Sequence, residues 1–192
     1  MLRELFISKT RVKLLETLLA EPGKIYYVRE LVRLINEQIN AVRAELSRMK
    51  KIGMVFCESR ANRKYYGFRK DYLFFDELLR LVNKSTGLGG AIIKDKTKLG
   101  KVKFVSLSGS FVRGKESSAN DVDLLVIGNI VLPQLSQLVR ASESKIGREI
   151  NYTIMTEEEF NFRKTRRDPF ILGLLSKTRV MLVGDEEEMV GV

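Results

Sequence analysis

Apolar residues in the first 84 positions recur at spacings of three and four, which is the period of amphipathic helices. This spacing predicts helices over residues 9–20, 28–35, 36–53 and 72–83. Before the last of them, residues 54–59 and 65–68 are predicted strands, joined by a basic turn with Asn62 at its tip. The predicted order is three helices, a hairpin and a further helix.

Local chemistry adds detail to the third and fourth helices. Asn36 is predicted as the N-cap of the third helix, and Gly53 as its end. The inward face of this helix is predicted to comprise Ile39, Val42, Leu46, Met49 and Ile52. In the fourth helix, Phe74 and Phe75 are both predicted to face the core.

The pattern changes after residue 100. Residues 102–107 and 122–127 are almost continuously apolar, which is typical of strands buried on both faces. Residues 133–146 are predicted to be helical and residues 148–155 to form a third strand. Two short helices, begun by Thr156 and Asp168, and a last strand follow, so this half is predicted to be α/β with a mixed sheet.

The stretch between the two halves, residues 85–100, is rich in Gly, Ser, Thr and Lys. This change of composition favours a linker. The predicted fold class is therefore α+β in two domains, residues 1–84 and residues 101–192.

Net charge is concentrated in the first half. The chain carries a formal charge of +10, of which +8 falls in residues 1–84, and residues 37–70 hold nine basic residues against three acidic ones. Such an excess favours a polyanionic partner, most often nucleic acid. A solvated basic face without a specific partner is the alternative that charge alone leaves open.

Composition excludes several kinds of chemistry. The chain has no histidine and one cysteine, Cys57, so Ser-His, Cys-His and His-metal sites and an internal disulfide are ruled out. No apolar run approaches the roughly 20 residues that span a bilayer. The N-terminal residues lack the apolar core of a secretory signal. We therefore expect a cytoplasmic protein without a membrane partner.

The first half resembles the winged helix-turn-helix domains of small transcription regulators, in its order of helices and its basic hairpin. The resemblance implies that the third helix enters the major groove of double-stranded DNA and that the hairpin contacts the backbone. The implied DNA-binding residues on the third helix are Gln38, Asn40, Arg43, Ser47, Arg48 and Lys51. Those on the hairpin are Arg60, Asn62, Arg63 and Lys64.

Regulators of this type usually dimerise to match paired half-sites, so a homodimer is expected. The alternative for this half is a winged helix that is used only for protein contacts.

The second half carries a sharper motif. A predicted buried strand ends at Gly109-Ser110, and Asp121-Val122-Asp123 opens the next buried strand. Together these elements resemble the nucleotidyltransferase superfamily that includes DNA polymerase beta and the minimal nucleotidyltransferases. Alternation on a strand is expected to point the carboxylates of Asp121 and Asp123 to the same side. The alternative is that both aspartates are structural.

The resemblance implies a nucleotide site with a metal ion. Gly109 is expected to let the backbone approach a nucleoside triphosphate, and Ser110 to bind its phosphates, with Arg113 and Lys115 nearby. Asp121 and Asp123 are the expected Mg²⁺ ligands and catalytic residues, because Mg²⁺ prefers oxygen ligands that substrate phosphates complete.

Active members of this superfamily usually carry a third acid on a neighbouring strand. The matching position here is Asn151, whose amide cannot take a proton from an attacking hydroxyl, and Glu149 is the possible substitute as base. Nearly the whole chain resembles a subgroup in which a winged helix is fused to a nucleotidyltransferase-like domain.

Three functions follow from these resemblances. The first is a DNA-binding regulator that binds a Mg²⁺–nucleotide as effector. The second is an active nucleotidyltransferase that modifies a hydroxyl of a protein, an RNA or a small molecule. The third is an antitoxin-like or scaffolding protein.

Overall fold

The computed structural model describes residues 2–115, 118 and 121–191, and its contacts divide the chain into two compact units, Met1–Ser85 and Thr86–Val192. The described elements of the first unit are α1 (Leu2–Leu5), α2 (Lys9–Ala20), β1 (Tyr26–Tyr27), α3 (Val28–Ile35), α4 (Ile39–Lys51), β2 (Val55–Arg60), β3 (Arg63–Phe68) and α5 (Phe75–Ser85).

The core of the first unit forms where α2 packs against α3, α4 and α5. Its members share the apolar spacing predicted from the sequence, and they include Val12, Leu15, Leu18, Leu19, Leu31, Val42, Leu46 and Met49, all at most 1 % exposed. Burial of these side chains holds α4 with one apolar face inward and the opposite face in solvent.

The strands of the first unit form an antiparallel sheet in the order β1-β3-β2. Strand β3 is two residues longer than predicted and β2 is shifted by one residue, and the two strands pair up to Arg60 opposite Arg63, so that Ala61 and Asn62 make the turn. Ala61 has a φ of +48°, the left-handed conformation that tight hairpin turns require. Arg60, Arg63 and Lys64 are therefore residues of the strand ends and not of a loop.

Three details of the helices differ from the sequence prediction. Asn36 is the C-cap of α3 and not the N-cap of α4, because its left-handed backbone (φ +49°) lets its N–H close α3 on the carbonyl of Val32. Ile52 and Phe74 are exposed, since each lies just outside a helix, where the helical period no longer sets its direction.

The second unit alternates helices and strands. Its described elements are α6 (Gly87–Lys94), a short 3-10 helix (Lys96–Leu99), β4 (Gly100–Ser108), α7 (Gly109–Val112), β5 (Leu124–Ile130), α8 (Leu132–Ile146), β6 (Tyr152–Met155), α9 (Glu157–Thr165), α10 (Pro169–Ser176), β7 (Arg179–Val183) and α11 (Glu186–Val190).

These strands form a mixed sheet, as the sequence pattern predicted, and their order is β6-β5-β4-β7. Strands β5 and β6 are parallel and are connected through α8, whereas β4 is antiparallel to both β5 and β7. The first four residues of β5 are at most 6 % exposed, in agreement with the apolar run that predicted a buried strand. The topology brings the end of β4 beside the segments that precede β5, β6 and β7.

The segment predicted as a linker is folded. Residues 87–94 form α6, which contacts α8 and β7, and Leu88, Ile92 and Leu99 are at most 4 % exposed. The segment has few residues that favour a helix, but burial of these three apolar side chains outweighs its low helix propensity. Residues 86–100 are therefore part of the second unit.

We expect Ile92→Ala to lower the free energy of unfolding by about 3 kcal/mol, because it leaves a cavity in a packed core. Ile92 is fully buried, whereas Lys94 on the same helix is exposed. Urea unfolding of both variants checks this expectation. If Ile92→Ala lowers the free energy of unfolding as little as Lys94→Ala does, this segment behaves as a linker.

Across the described residues, every helix is too short or too polar to cross a membrane.

Candidate functional site

A cleft of about 500 Å³ lies at the end of β4 in the second unit. Its lining combines hydroxyls, three cationic side chains and one carboxylate, from Ser108, Gly109, Ser110, Arg113, Lys115, Asp121, Lys177 and Thr178. Five of these residues were predicted as site residues from the sequence. The excess of cationic over anionic side chains suits an anionic ligand.

The Gly-Ser turn forms one wall of the cleft. The hydroxyl of Ser108 accepts a hydrogen bond from the N–H of Phe111 at 3.1 Å, which caps the single turn of α7, and lies 3.0 Å from the hydroxyl of Ser110. These contacts hold the Ser110 side chain at the cleft.

Glycine at position 109 has a structural reason. A Cβ atom there would lie 2.1 Å from Oγ1 of Thr178, and the Gly109 N–H donates to the Thr178 carbonyl at 2.7 Å. A triphosphate was the expected close neighbour of Gly109, whereas the close neighbour in the structure is Thr178, which directly precedes β7. The N–H of Gly109 therefore links the Gly-Ser turn to the segment before β7, and both line the cleft.

Asp121 is the carboxylate of the cleft. Its Oδ1 accepts from Nζ of Lys177 at 2.9 Å, and its Oδ2 accepts from the N–H and the hydroxyl of Ser118 at 3.1 and 2.9 Å. The hydrogen bond from Lys177, followed by those from Ser118, lowers the pKa of Asp121 to about 2. This carboxylate is thus ionised at neutral pH and is already paired with a cation.

Asp123 differs from Asp121 in its environment. It is fully buried, its Oδ2 accepts from the backbone N–H of Asn151 at 3.1 Å, and its backbone bonds to both Ser108 and Asn151. Both aspartates precede β5, which begins at Leu124, so the prediction that they alternate on a strand is wrong. Asp121 lines the cleft, whereas Asp123 lies in the protein interior beside β4 and β6.

Asn151 lies beside Asp123, as expected for the position that matches the third acid. Its side-chain amide donates to the carbonyl of Ser118 at 3.1 Å, in addition to the backbone bond to Asp123. Glu149 is exposed, precedes β6 and is not among the described residues that line the cleft. The geometry therefore gives no support to the predicted role of Glu149 as base.

Lys177 and Thr178 line the cleft but were missed from the sequence. Both precede β7, 56 or more positions from Asp121, and the order of strands alone brings them to the end of β4. In the sequence, Lys177 is a basic residue directly before a predicted strand. Such a position is common, so it does not indicate a site residue unless the order of the strands is known.

The one described carboxylate of the cleft, Asp121, suits a hard cation that is shared with a ligand. Among the described residues, the structure groups no three or more Asp, Glu, Cys or His side chains in a metal-binding arrangement. Mg²⁺ commonly takes one or two protein carboxylates and completes its coordination with phosphates and water. Asp121 supplies one such carboxylate to the cleft, whereas Asp123 is buried two positions further along the chain.

The first unit carries a second candidate surface, formed by α4 and the β2–β3 hairpin. All ten residues predicted to contact DNA are exposed. Two hairpin arginines stack on aromatic rings, Arg60 at 5.6 Å from the centre of Tyr65 and Arg63 at 5.4 Å from that of Tyr27. The rings and strands support these cations at one edge of the unit.

Two predicted DNA contacts, Arg48 and Arg60, have acidic partners within the unit, and Arg60 donates to Glu58 at 2.9 Å. Arg48 donates to Glu45 at 3.1 Å, and Glu45 is a buried residue of α4 that also pairs with Arg11 and Ser8 of the α2 region. Burial disfavours the charged form of Glu45, but the hydrogen bonds from Arg11, Ser8 and Arg48 outweigh it and lower the pKa. Glu45 thus fixes α4 against α2, and the exposed Arg48 contributes to that anchor.

Comparison with known proteins bears on the second unit. Residues 91–175 match the family model of the nucleotidyltransferase domain. The match includes the Gly-Ser turn, both aspartates and Asn151, and it ends just before Lys177. Searches among curated proteins and among solved structures gave no match. The match supports a nucleotidyltransferase-like domain in the second unit.

Proposed function

We propose that the protein is a DNA-binding transcriptional regulator whose nucleotidyltransferase domain binds a Mg²⁺–nucleoside triphosphate as an effector. The observation that carries the proposal is the cleft itself. Three cationic side chains, the Ser110 hydroxyl and one partly exposed carboxylate line this cleft, within a domain similar to nucleotidyltransferases.

In this proposal the phosphates bind to Ser110, Arg113 and Lys115, and Asp121 and Asp123 hold the metal. Mg²⁺ would neutralise the triphosphate and fix its position. The carboxylate of Asp121 lines the cleft, whereas that of Asp123 is buried outside the described lining and accepts from the backbone N–H of Asn151. Asp121 is thus the primary metal contact and Asp123 the second.

An effector role is favoured over transfer by the surroundings of the metal site. The residue beside Asp123 is Asn151, and an amide cannot accept a proton from an attacking hydroxyl. Glu149, the acid nearest in sequence, is absent from the described lining of the cleft. An active nucleotidyltransferase remains the second candidate because the domain family is defined by that reaction.

The DNA-binding half of the proposal depends on the first unit. Helices α2, α3 and α4 followed by the β2–β3 hairpin have the order of a winged helix, in which α4 would lie in the major groove. The exposed Gln38, Asn40 and Arg43 are side chains suited to base edges. The hairpin cations are suited to phosphates, and a homodimer would match two half-sites.

The test of effector against enzyme uses labelled nucleotides. Each α-labelled nucleoside triphosphate is incubated with the protein, Mg²⁺ and DNA, RNA or protein acceptors. We expect one or more nucleotides to bind in equilibrium dialysis and no label to become covalently attached. Covalent label on any acceptor, including the protein itself, would favour the transferase. Absence of both nucleotide and DNA binding would favour the scaffolding function.

A further inference from the structure

The ion pair between Lys177 and Asp121 occupies the position that the proposed metal needs. Nζ of Lys177 lies 2.9 Å from Oδ1 of Asp121, and both side chains line the cleft together with Ser110 and Arg113. Resting on the function proposed above, we infer that Lys177 is a phosphate-binding residue that exchanges its bond to Asp121 for one to the nucleotide when the metal arrives.

The backbone around Lys177 is held on both sides. The guanidinium of Arg179, only 8 % exposed, donates to the Lys177 carbonyl at 2.8 Å and to that of Leu174 at 3.3 Å. On the other side, the Thr178 carbonyl accepts from the N–H of Gly109 at 2.7 Å. The main chain at residue 177 is thereby fixed relative to the Gly-Ser turn.

The side chain of Lys177 is not fixed in this way. It is 54 % exposed, and its ammonium ends on a flexible stem of four carbons. An ammonium carries three donors, so it can leave one carboxylate and bind a phosphate oxygen without movement of the main chain. A fixed main chain with a mobile cationic end is suited to exchange between two anionic partners in one cleft.

The ammonium of Lys177 and a metal ion are both cations, so they compete for the carboxylate of Asp121. A metal that binds alone must displace Lys177 from Oδ1 of Asp121, while Ser118 still holds Oδ2. A metal that arrives with a triphosphate supplies the displaced ammonium with a new anion. Lys177 therefore weakens binding of the metal alone and strengthens binding of metal and nucleotide together.

The experiment compares wild type, Lys177→Met, Lys177→Arg and the control Lys145→Met, an exposed lysine of α8 that is not among the described cleft residues. Mn²⁺ alone is titrated by electron paramagnetic resonance, and ATP with Mg²⁺ by calorimetry. Thermal unfolding verifies that each variant is folded, and Lys177→Gln serves as the second neutral variant.

For Lys177→Met and Lys177→Gln we expect Mn²⁺ to bind several-fold more tightly and Mg²⁺–ATP about tenfold more weakly, the effect of one charge-assisted hydrogen bond. Lys177→Arg should stay near wild type in both titrations, as should Lys145→Met. If wild type binds Mg²⁺–ATP but the neutral variants match it in both titrations, the role of Lys177 is overturned. If wild type binds no nucleotide, the proposed function fails and this inference fails with it.

Discussion

Mg²⁺–ATP is expected to raise the melting temperature of the wild-type protein by about 10 °C and to leave that of the Asp121→Asn, Asp123→Asn double variant unchanged. A ligand at about 100 times its Kd stabilises the folded state by about 2.7 kcal/mol, which corresponds to several degrees or more in a domain of this size. The double variant lacks the two charges that we propose to hold the metal, so the stabilisation by the ligand should disappear. Thermal unfolding with and without ligand is the measurement.

The double variant should remain folded without ligand. Asp121 loses an exposed ion pair, which contributes little to stability, and an amide at position 123 retains an oxygen that accepts from the Asn151 N–H. Asp95→Asn is the matched control, because Asp95 pairs with Lys98 in the same unit but does not line the described cleft. An equal ligand response in wild type and double variant would make the two aspartates structural.

Arg63→Ala with Lys64→Ala is expected to weaken binding to duplex DNA about 30-fold at about 0.15 M salt, for every DNA sequence tested. Both residues are exposed at the start of β3, next to the hairpin turn, and are proposed to contact phosphates. Loss of two phosphate contacts should reduce the slope of log K against log salt by about two. Fluorescence anisotropy at several salt concentrations measures both quantities.

Two further variants separate phosphate contact from base contact and from net charge. Arg43→Ala should reduce the difference in affinity between specific and random DNA, because Arg43 lies on the exposed face of α4. Arg80→Ala with Lys84→Ala removes two exposed cations from α5 and should change the salt slope little. If the α5 variant and the hairpin variant lose the same affinity for DNA, then binding depends on the net charge of the protein and not on the proposed surface.

The sequence predicted the parts of the fold that depend on local pattern. The inward face of α2 and the buried strand β5 follow from apolar spacing, and the caps at Thr156 and Asp168 follow from side chains that reach their own helix. These features are decided within one element, so no knowledge of the topology is needed to predict them.

The features that the sequence missed depend on partners far along the chain. Residues 87–94 are helical because α8 and β7 cover their apolar side chains, which composition cannot reveal. Lys177 reaches Asp121 because β7 pairs with β4. Asp123 is buried because the segments before β5 and β6 bond to each other there. In each case strand order, and not local spacing, decides the surroundings.

The most direct test of the proposed regulatory function is the affinity of the full chain for duplex DNA with and without saturating Mg²⁺–ATP or another bound nucleotide. An effector must change this affinity, typically by about 5- to 150-fold, and DNA must change the affinity for the nucleotide by the same factor. We predict such a reciprocal change in wild type and none in Asp121→Asn, Asp123→Asn. A DNA affinity that the bound nucleotide leaves unchanged would contradict the account.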